Sequence, residues 1–229
     1  MDAPAAVLFD AYGTLFDVWS VGEQLEAWAP GKGRDAAIML RDKQIEYTRL
    51  VSGSDPSPSG SRHYQSFFDL TASALRYTSN RLGLGLSEAQ IAELMGFYLR
   101  LTAFPECRDV LSALKDRGLV LGILSNGDPD MLREAAGASG LAPFLDHLIS
   151  IETVRQYKTH PLAYAEGTRT LGLPAERVLF VSSNAWDAVA AKWFGYRVFW
   201  VNRYGLPFEE IGTAPDATGP DLTSLLSLL

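Results

Sequence analysis

Cysteine is almost absent from this 229-residue chain: Cys107 stands alone, so neither an internal disulfide nor a cysteine-rich zinc site can be built. Histidine is nearly as scarce. His63, His147 and His160 are too scattered to suggest a zinc centre. Positive charge is short too: 20 Lys plus Arg against 27 Asp plus Glu leave a net charge of -7, with no basic cluster of the kind nucleic acid requires. Long apolar runs are missing. The longest stretches, such as Leu119 to Leu124, are strand-sized, and no basic segment leads into a signal-like apolar run at the N-terminus. The expectation is a soluble, cytoplasmic protein with neither nucleic acid nor membrane as partner. What the chain does have is ordinary globular composition, 47% hydrophobic and 21% charged, enough for one large domain or a core with a smaller insert.

Short runs of Val, Ile, Leu and Phe recur at Ala6 to Phe9, Leu119 to Leu124, His147 to Ile151, Val178 to Val181 and Val198 to Val201. Each has the length of a strand buried on both faces. Helix-patterned segments lie between the later ones, at Pro129 to Ala138, Pro161 to Leu171 and Ala185 to Phe194. The pattern predicts an α/β fold, a Rossmann-like parallel sheet covered by helices. Residues 16–104 break the rhythm and read as an inserted cap of three or four helices, which leaves residues 1–15 and 105–229 as the core. Within the insert, Ile38, Arg41, Ile45 and Thr48 share one helix face, and Phe67, Thr71, Ala74, Thr78 and Leu82 share another. Ser87 opens a capping-box sequence ahead of Ile91, Leu94, Met95 and Tyr98. SGSDPSPSGS, from Ser52 to Ser61, is expected to be a surface or mobile loop.

In an open parallel sheet ligands bind beyond the carboxyl ends of the strands, so the residue after each apolar run is informative. The first run ends in Asp10, the second in Ser125-Asn126, and the fourth in Ser182-Ser183-Asn184 with Asp187 one turn on; Lys158 follows the third. Singly, each has an ordinary structural reading as a helix cap, a first-turn charge or a solvated lysine. Together they converge on one edge. The dinucleotide-like run from Gly31 to Ala36 follows no strand and is set aside.

FDAYGTLFD at Phe9 to Asp17, ILSNG at Ile123 to Gly127, Tyr157-Lys158 and VSSNAWDA at Val181 to Ala188 resemble the four motifs of the haloacid dehalogenase superfamily. More narrowly, RDKQIEYT at Arg41 to Thr48, SSNAWDA, and FEEIG at Phe208 to Gly212 resemble the L-2-haloacid dehalogenases. The chain departs from that pattern at Asp42, where Gln is frequent, at Thr159, where Pro is common, and in the length of the 52–61 loop. Asp42 is expected to touch the cap pocket and so to bear on substrate range.

The resemblance implies a hydrolase acting on small 2-haloacids, working without cofactor or metal and commonly as a homodimer. Its relatives in the wider superfamily are mostly phosphatases, which use a second Asp two residues after the nucleophile as general acid and magnesium held by further carboxylates. Here Tyr12 occupies the first of those positions, and Ser183 and Asn184 stand where acid would help hold the ion. A halide leaves without protonation and needs neither. Asp10 is the expected nucleophile on C2, and water would then hydrolyse the resulting ester at the Asp10 carbonyl. Arg41 and Asn126 are candidates for the halide, although an Arg at a domain junction also snorkels and an Asn in a turn often serves its own backbone. Ser125 with nearby backbone N–H groups suits the substrate carboxylate. Lys158 would keep Asp10 ionised, Asp187 would orient Lys158 and help activate water, and Thr14, Ser182, Asn184 and Tyr164 would complete the polar set, with Tyr164 also placed against the substrate. Tyr12, Ile45, Phe67 and Trp186 are the expected apolar walls, with plain helix packing the alternative for Phe67. A phosphatase, or a non-catalytic binding protein on the same fold, remains the alternative.

Overall fold

The structure is a computed structural model and describes residues 3–229. It opens with β1 (Ala6–Phe9), whose four apolar residues are all buried. Four helices follow, α1 (Val21–Trp28), α2 (Gly33–Ser54), α3 (Phe67–Leu82) and α4 (Glu88–Tyr98), and then the chain alternates: α5 (Cys107–Asp116), β2 (Val120–Ser125), α6 (Pro129–Ala138), β3 (His147–Ser150), α7 (Pro161–Leu171), β4 (Val178–Ser182), α8 (Ala185–Phe194), β5 (Arg197–Val201), β6 (Ala217–Gly219) and α9 (Leu225–Leu228). All strand pairs are parallel and the order is β3-β2-β1-β4-β5-β6. The α/β reading therefore holds. β1 lies between β2 and β4, with Phe9 opposite both Ile123 and Val181, so the three carboxyl ends where Asp10, Ser125 and Ser182 stand are neighbours. That is the switch point at which this architecture binds ligands.

The chain leaves and re-enters the sheet region through paired linkers: the Asp17 N–H donates to the Thr102 carbonyl (2.9 Å) and the Phe104 N–H to that of Leu15 (3.0 Å). Between them α1 to α4 pack on one another. α1 and α2 cross so closely that a Cβ on Gly33 would lie 2.5 Å from the Gly22 carbonyl oxygen. The capping box at Ser87 forms as its sequence predicts, and Phe67, Thr71, Ala74 and Thr78 on α3 are buried.

Two expectations need correction, and one strand adds to the pattern. Ile38 is exposed, because the buried stripe of α2 runs through Ala37, Leu40, Gln44, Thr48 and Val51 instead. The segment from Ser52 is a surface loop only from Asp55 onward, because α2 continues through Ser54, and that loop is tethered: the Ser61 hydroxyl donates to the Val51 carbonyl (2.8 Å), and the Gln156 amide donates to the carbonyls of Asp55 (2.8 Å) and Ser57 (2.9 Å). β6, Ala217–Gly219, carries no apolar run and pairs with the edge of β5. Among the described residues no helix is long and apolar enough to cross a membrane.

Candidate active site

The ladder continues one residue past β1, with the Asp10 N–H donating to the Val181 carbonyl (2.8 Å). The chain then curls. The N–H groups of Leu15 and Phe16 return to the Ala11 carbonyl, and Gly13 takes φ 90°, a left-handed conformation that side chains resist. This turn brings the Thr14 hydroxyl to Asp10 Oδ2 (3.1 Å), where the Asn184 amide also donates (2.9 Å). Asp10 Oδ1 faces Lys158 Nζ at 3.0 Å.

Lys158 reaches that position because two other segments hold its backbone. Its N–H donates to Asn126 Oδ1 (2.9 Å), and the N–H of Tyr157 donates to Ser52 Oγ at the end of α2 (2.7 Å). Its ammonium is 1% exposed and also donates to Asp187 Oδ2 at 3.0 Å. Ser182 donates to the same oxygen (3.0 Å), and the Tyr164 hydroxyl donates to Asp187 Oδ1 (2.7 Å). Burial acts to lower the pKa of Lys158, but the carboxylates of Asp10 and Asp187 outweigh it and hold the ammonium above its ordinary value. Burial pushes the Asp187 carboxyl up, opposed chiefly by Lys158. Tyr164 is likewise raised, by burial and then by Asp187, so its proton stays on the hydroxyl.

Above this triad lies a small, narrow cavity. Asp10, Ser125 and Asn126 form its floor. Arg41, Gln44, Ile45 and Thr48 from α2 and Phe67 from α3 form its roof, with Tyr12 and Trp186 at the sides. Arg41 enters from α2 and anchors to the core: its guanidinium donates to the Tyr12 carbonyl and to Asn184 Oδ1, both at 3.2 Å, and to Gln44 Oε1 (3.3 Å). The Phe67 ring centroid is 5.6 Å from that of Tyr12. Asn126 spends its carbonyl on Lys158, which leaves its amide hydrogens for the cavity.

Sequence reasoning thus placed most of these groups in one site, with two corrections. Tyr164 sits behind Asp187, fully buried, and does not line this cavity. Asp42 is exposed and lines an outer cleft instead, because it lies on the solvent side of α2 next to Arg41. Gln44 and Thr48 were missed as lining residues, although both lie in the RDKQIEYT segment. Ser183 was missed as a brace: its hydroxyl donates to the Gly13 carbonyl (2.6 Å) and its N–H to Thr14 Oγ1 (2.9 Å). Cys107 is buried, and burial pushes its thiol up to about 12, as an inert cysteine requires. Among the described residues no three or more His, Cys, Asp or Glu side chains converge in a metal-binding group.

Comparison with known proteins agrees with this geometry. The family model for haloacid dehalogenase-like hydrolases matches residues 4–195. The chain is 44% identical to haloacetate dehalogenase H-2 of Moraxella sp. (strain B), over 98% of this chain and 97% of that protein. It is 42% identical to the (S)-2-haloacid dehalogenase of Pseudomonas sp. (strain YL), over 100% and 95%. Among solved structures, the L-2-haloacid dehalogenase RSc1362 superposes with TM-score 0.96 at 48% identity, covering 99% of each chain. The Xanthobacter autotrophicus L-2-haloacid dehalogenase with chloropropionic acid covalently bound superposes with TM-score 0.89 at 36% identity, covering 98% of each.

Proposed function

The chain belongs to the haloacid dehalogenase-like hydrolase family, and from that premise we propose that it is an (S)-2-haloacid dehalogenase, converting short L-2-haloalkanoic acids to D-2-hydroxyacids and halide. The observation that carries this reading is the pairing of a buried carboxylate, Asp10, with a guanidinium, Arg41, across one small cavity whose other walls include Ile45, Phe67 and Trp186. Backside displacement needs a nucleophile on one side of carbon and a cation for the departing halide on the other.

In this reading residues 16–104 are a cap closing over the core. Asp10 attacks C2, inverts it and forms an ester, while Arg41 and the Asn126 amide receive the halide. Ser125 and the N–H groups of its loop hold the substrate carboxylate. Alignment in a closed site is worth roughly 7–11 kcal/mol of barrier, so the cap is part of the catalyst. Water then adds to the Asp10 carbonyl. Asp187, its carboxyl raised by burial, takes the proton from that water and Lys158 stabilises the charge that develops on Asp10; the adduct then collapses with cleavage of the bond between the Asp10 carbonyl carbon and the ester oxygen, the hydroxyacid leaves with the proton returned from Asp187, and the Asp10 carboxylate is restored. Covalent attachment of chloropropionic acid in the Xanthobacter relative supports the ester. Metal has no part in this scheme, because the groups around Asp10 are donors: an ammonium, a hydroxyl and an amide N–H2. The reading carries a cytoplasmic enzyme acting as a homodimer, for which the exposed apolar residues Trp19, Ile38, Tyr204 and Leu206 offer a face; sedimentation as a monomer would count against the dimer.

The test is halide release from paired L- and D-2-chloro- and 2-bromopropionate, with EDTA and with added Mg²⁺, beside phosphate release from simple phosphomonoesters. Turnover of the L acids alone, unchanged by chelation, is the expected result. Phosphate release that requires Mg²⁺ would overturn the proposal.

A further inference from the structure

Asp128 occupies the N-cap position of α6 with extended backbone (φ -66°, ψ 156°), the geometry in which an Asp normally caps its own helix, yet its side chain makes no such bond. The carboxylate turns away and crosses to the inserted helices. Its Oδ1 accepts the N–H of Phe67 (2.9 Å) and its Oδ2 the N–H of Phe68 (2.8 Å), the first two residues of α3. Ser66 accepts the N–H of Asp69 through its hydroxyl (3.0 Å) and that of Leu70 through its carbonyl (3.0 Å). All four N–H groups that open α3 are therefore satisfied, two of them by a residue more than fifty positions away in the sheet-bearing half of the molecule.

The loop carrying Asp128 also builds the site. Ser125 and Asn126 line the cavity floor, and Gly127 lies against Tyr12 so closely that a Cβ there would sit 2.8 Å from the ring. Phe67, whose backbone Asp128 holds, packs its ring against Tyr12, the two tilted by 33°, and both line the cavity. Asp128 stands among Tyr12, Tyr64 and Tyr157, with Asp69 and Asp130 nearby, and burial is the largest influence on its carboxyl, pushing it up. A buried carboxylate costs free energy, and here two backbone N–H bonds offset it.

We propose that Asp128 is a positioning residue for dehalogenation: it borrows the first turn of α3 from the cap and seats the Phe67 side chain over the substrate. It touches neither substrate nor the Asp10, Lys158 and Asp187 cluster, so it acts on substrate binding through Phe67 and leaves ester hydrolysis to the core. This inference rests on the haloacid reading of the same cavity.

The test combines kinetics with hydrogen exchange in the full chain. Asp128→Ala should raise KM for L-2-chloropropionate about tenfold with kcat changed less than about threefold, the size expected from losing a capping interaction. Asp128→Asn, which keeps one carbonyl acceptor, should fall between. Phe67→Ala should raise KM by itself, and the Asp128→Ala/Phe67→Ala double variant should match it, because the first acts through the second. Amide exchange should accelerate at Phe67 and Phe68 in Asp128→Ala while Ala74 to Thr78 keeps its protection. A lowered melting temperature with unchanged KM and unchanged exchange would make Asp128 merely structural, and additive KM effects would sever it from Phe67. Were the wild-type protein to release no halide, the haloacid reading would fail, and the exchange at Phe67 and Phe68 would still decide whether Asp128 holds α3.

Discussion

A lysine held 3.0 Å from each of two buried carboxylates is stable only as a set of three. Removing the cation would leave Asp10 and Asp187 buried without a counter-charge, which commonly costs about 3–5 kcal/mol. Arg41 differs, since it is half-buried and its partners are a carbonyl and two amide oxygens that tolerate its loss. Arg41→Ala should therefore keep the fold, with a melting temperature near that of the wild type, and lose halide release about a hundredfold or more, as other losses of an anion stabiliser do. Wild-type turnover in the folded variant would reduce Arg41 to a snorkelling residue. Asp10, Lys158, Ser182 and Asp187 were legible in the sequence because apolar runs reveal where buried strands stop, and chemistry gathers at those ends. The roles of Gln44, Ser183 and Asp128 were not. Each has an ordinary local role as a helix polar residue, a turn hydroxyl or a cap, and its partner lies far along the chain.

Helix α2 links roof and triad, and its two ends have separate tasks. Its middle carries Arg41, Gln44 and Ile45 over the cavity, while Ser52 in its last turn accepts the Tyr157 N–H beside Lys158 (2.7 Å). Both atoms are buried, so Ser52→Ala orphans a backbone N–H. The expected cost is about 1–3 kcal/mol in urea unfolding, with a fall in kcat as Lys158 loosens. Unchanged stability and turnover would show that the bond does not hold the lysine loop. The pattern of turn-forming residues from Ser52 onward concealed this end of the helix, because local propensity cannot register a contact made with residue 157. β6 escaped for a related reason: Ala-Thr-Gly has no apolar signature, and its strand form depends on the edge offered by β5.

On the scale of the whole molecule, the interior carries many ionisable groups held in one state. Tyr12, Tyr98, Tyr157, Tyr164 and Tyr196 are buried and their hydroxyls raised, in each case first by burial. A group whose native pKa lies above its unfolded value contributes stability that is complete below the unfolded pKa and lost as pH climbs toward the native one. For tyrosine that loss begins near pH 10, at about 1.4 kcal/mol per group per pH unit, and Lys158, also raised, adds to it from its ordinary value upward. The melting temperature should be nearly level from pH 8 to 9.5 and fall steeply beyond 10. A level profile through pH 11 would show that these hydroxyls do not stay protonated in the fold.

The central claim is that Asp10 becomes esterified, and stereochemistry cannot test it, because direct attack by water also inverts C2. Isotope placement can. With enzyme in excess over L-2-chloropropionate in ¹⁸O-water, a single turnover should give unlabelled lactate and place the heavy oxygen on Asp10, visible by mass spectrometry of the peptide that contains it and of no other. Lactate carrying ¹⁸O from that first turnover, with the Asp10 peptide unlabelled, would mean that Asp10 only activates water and would contradict the covalent route.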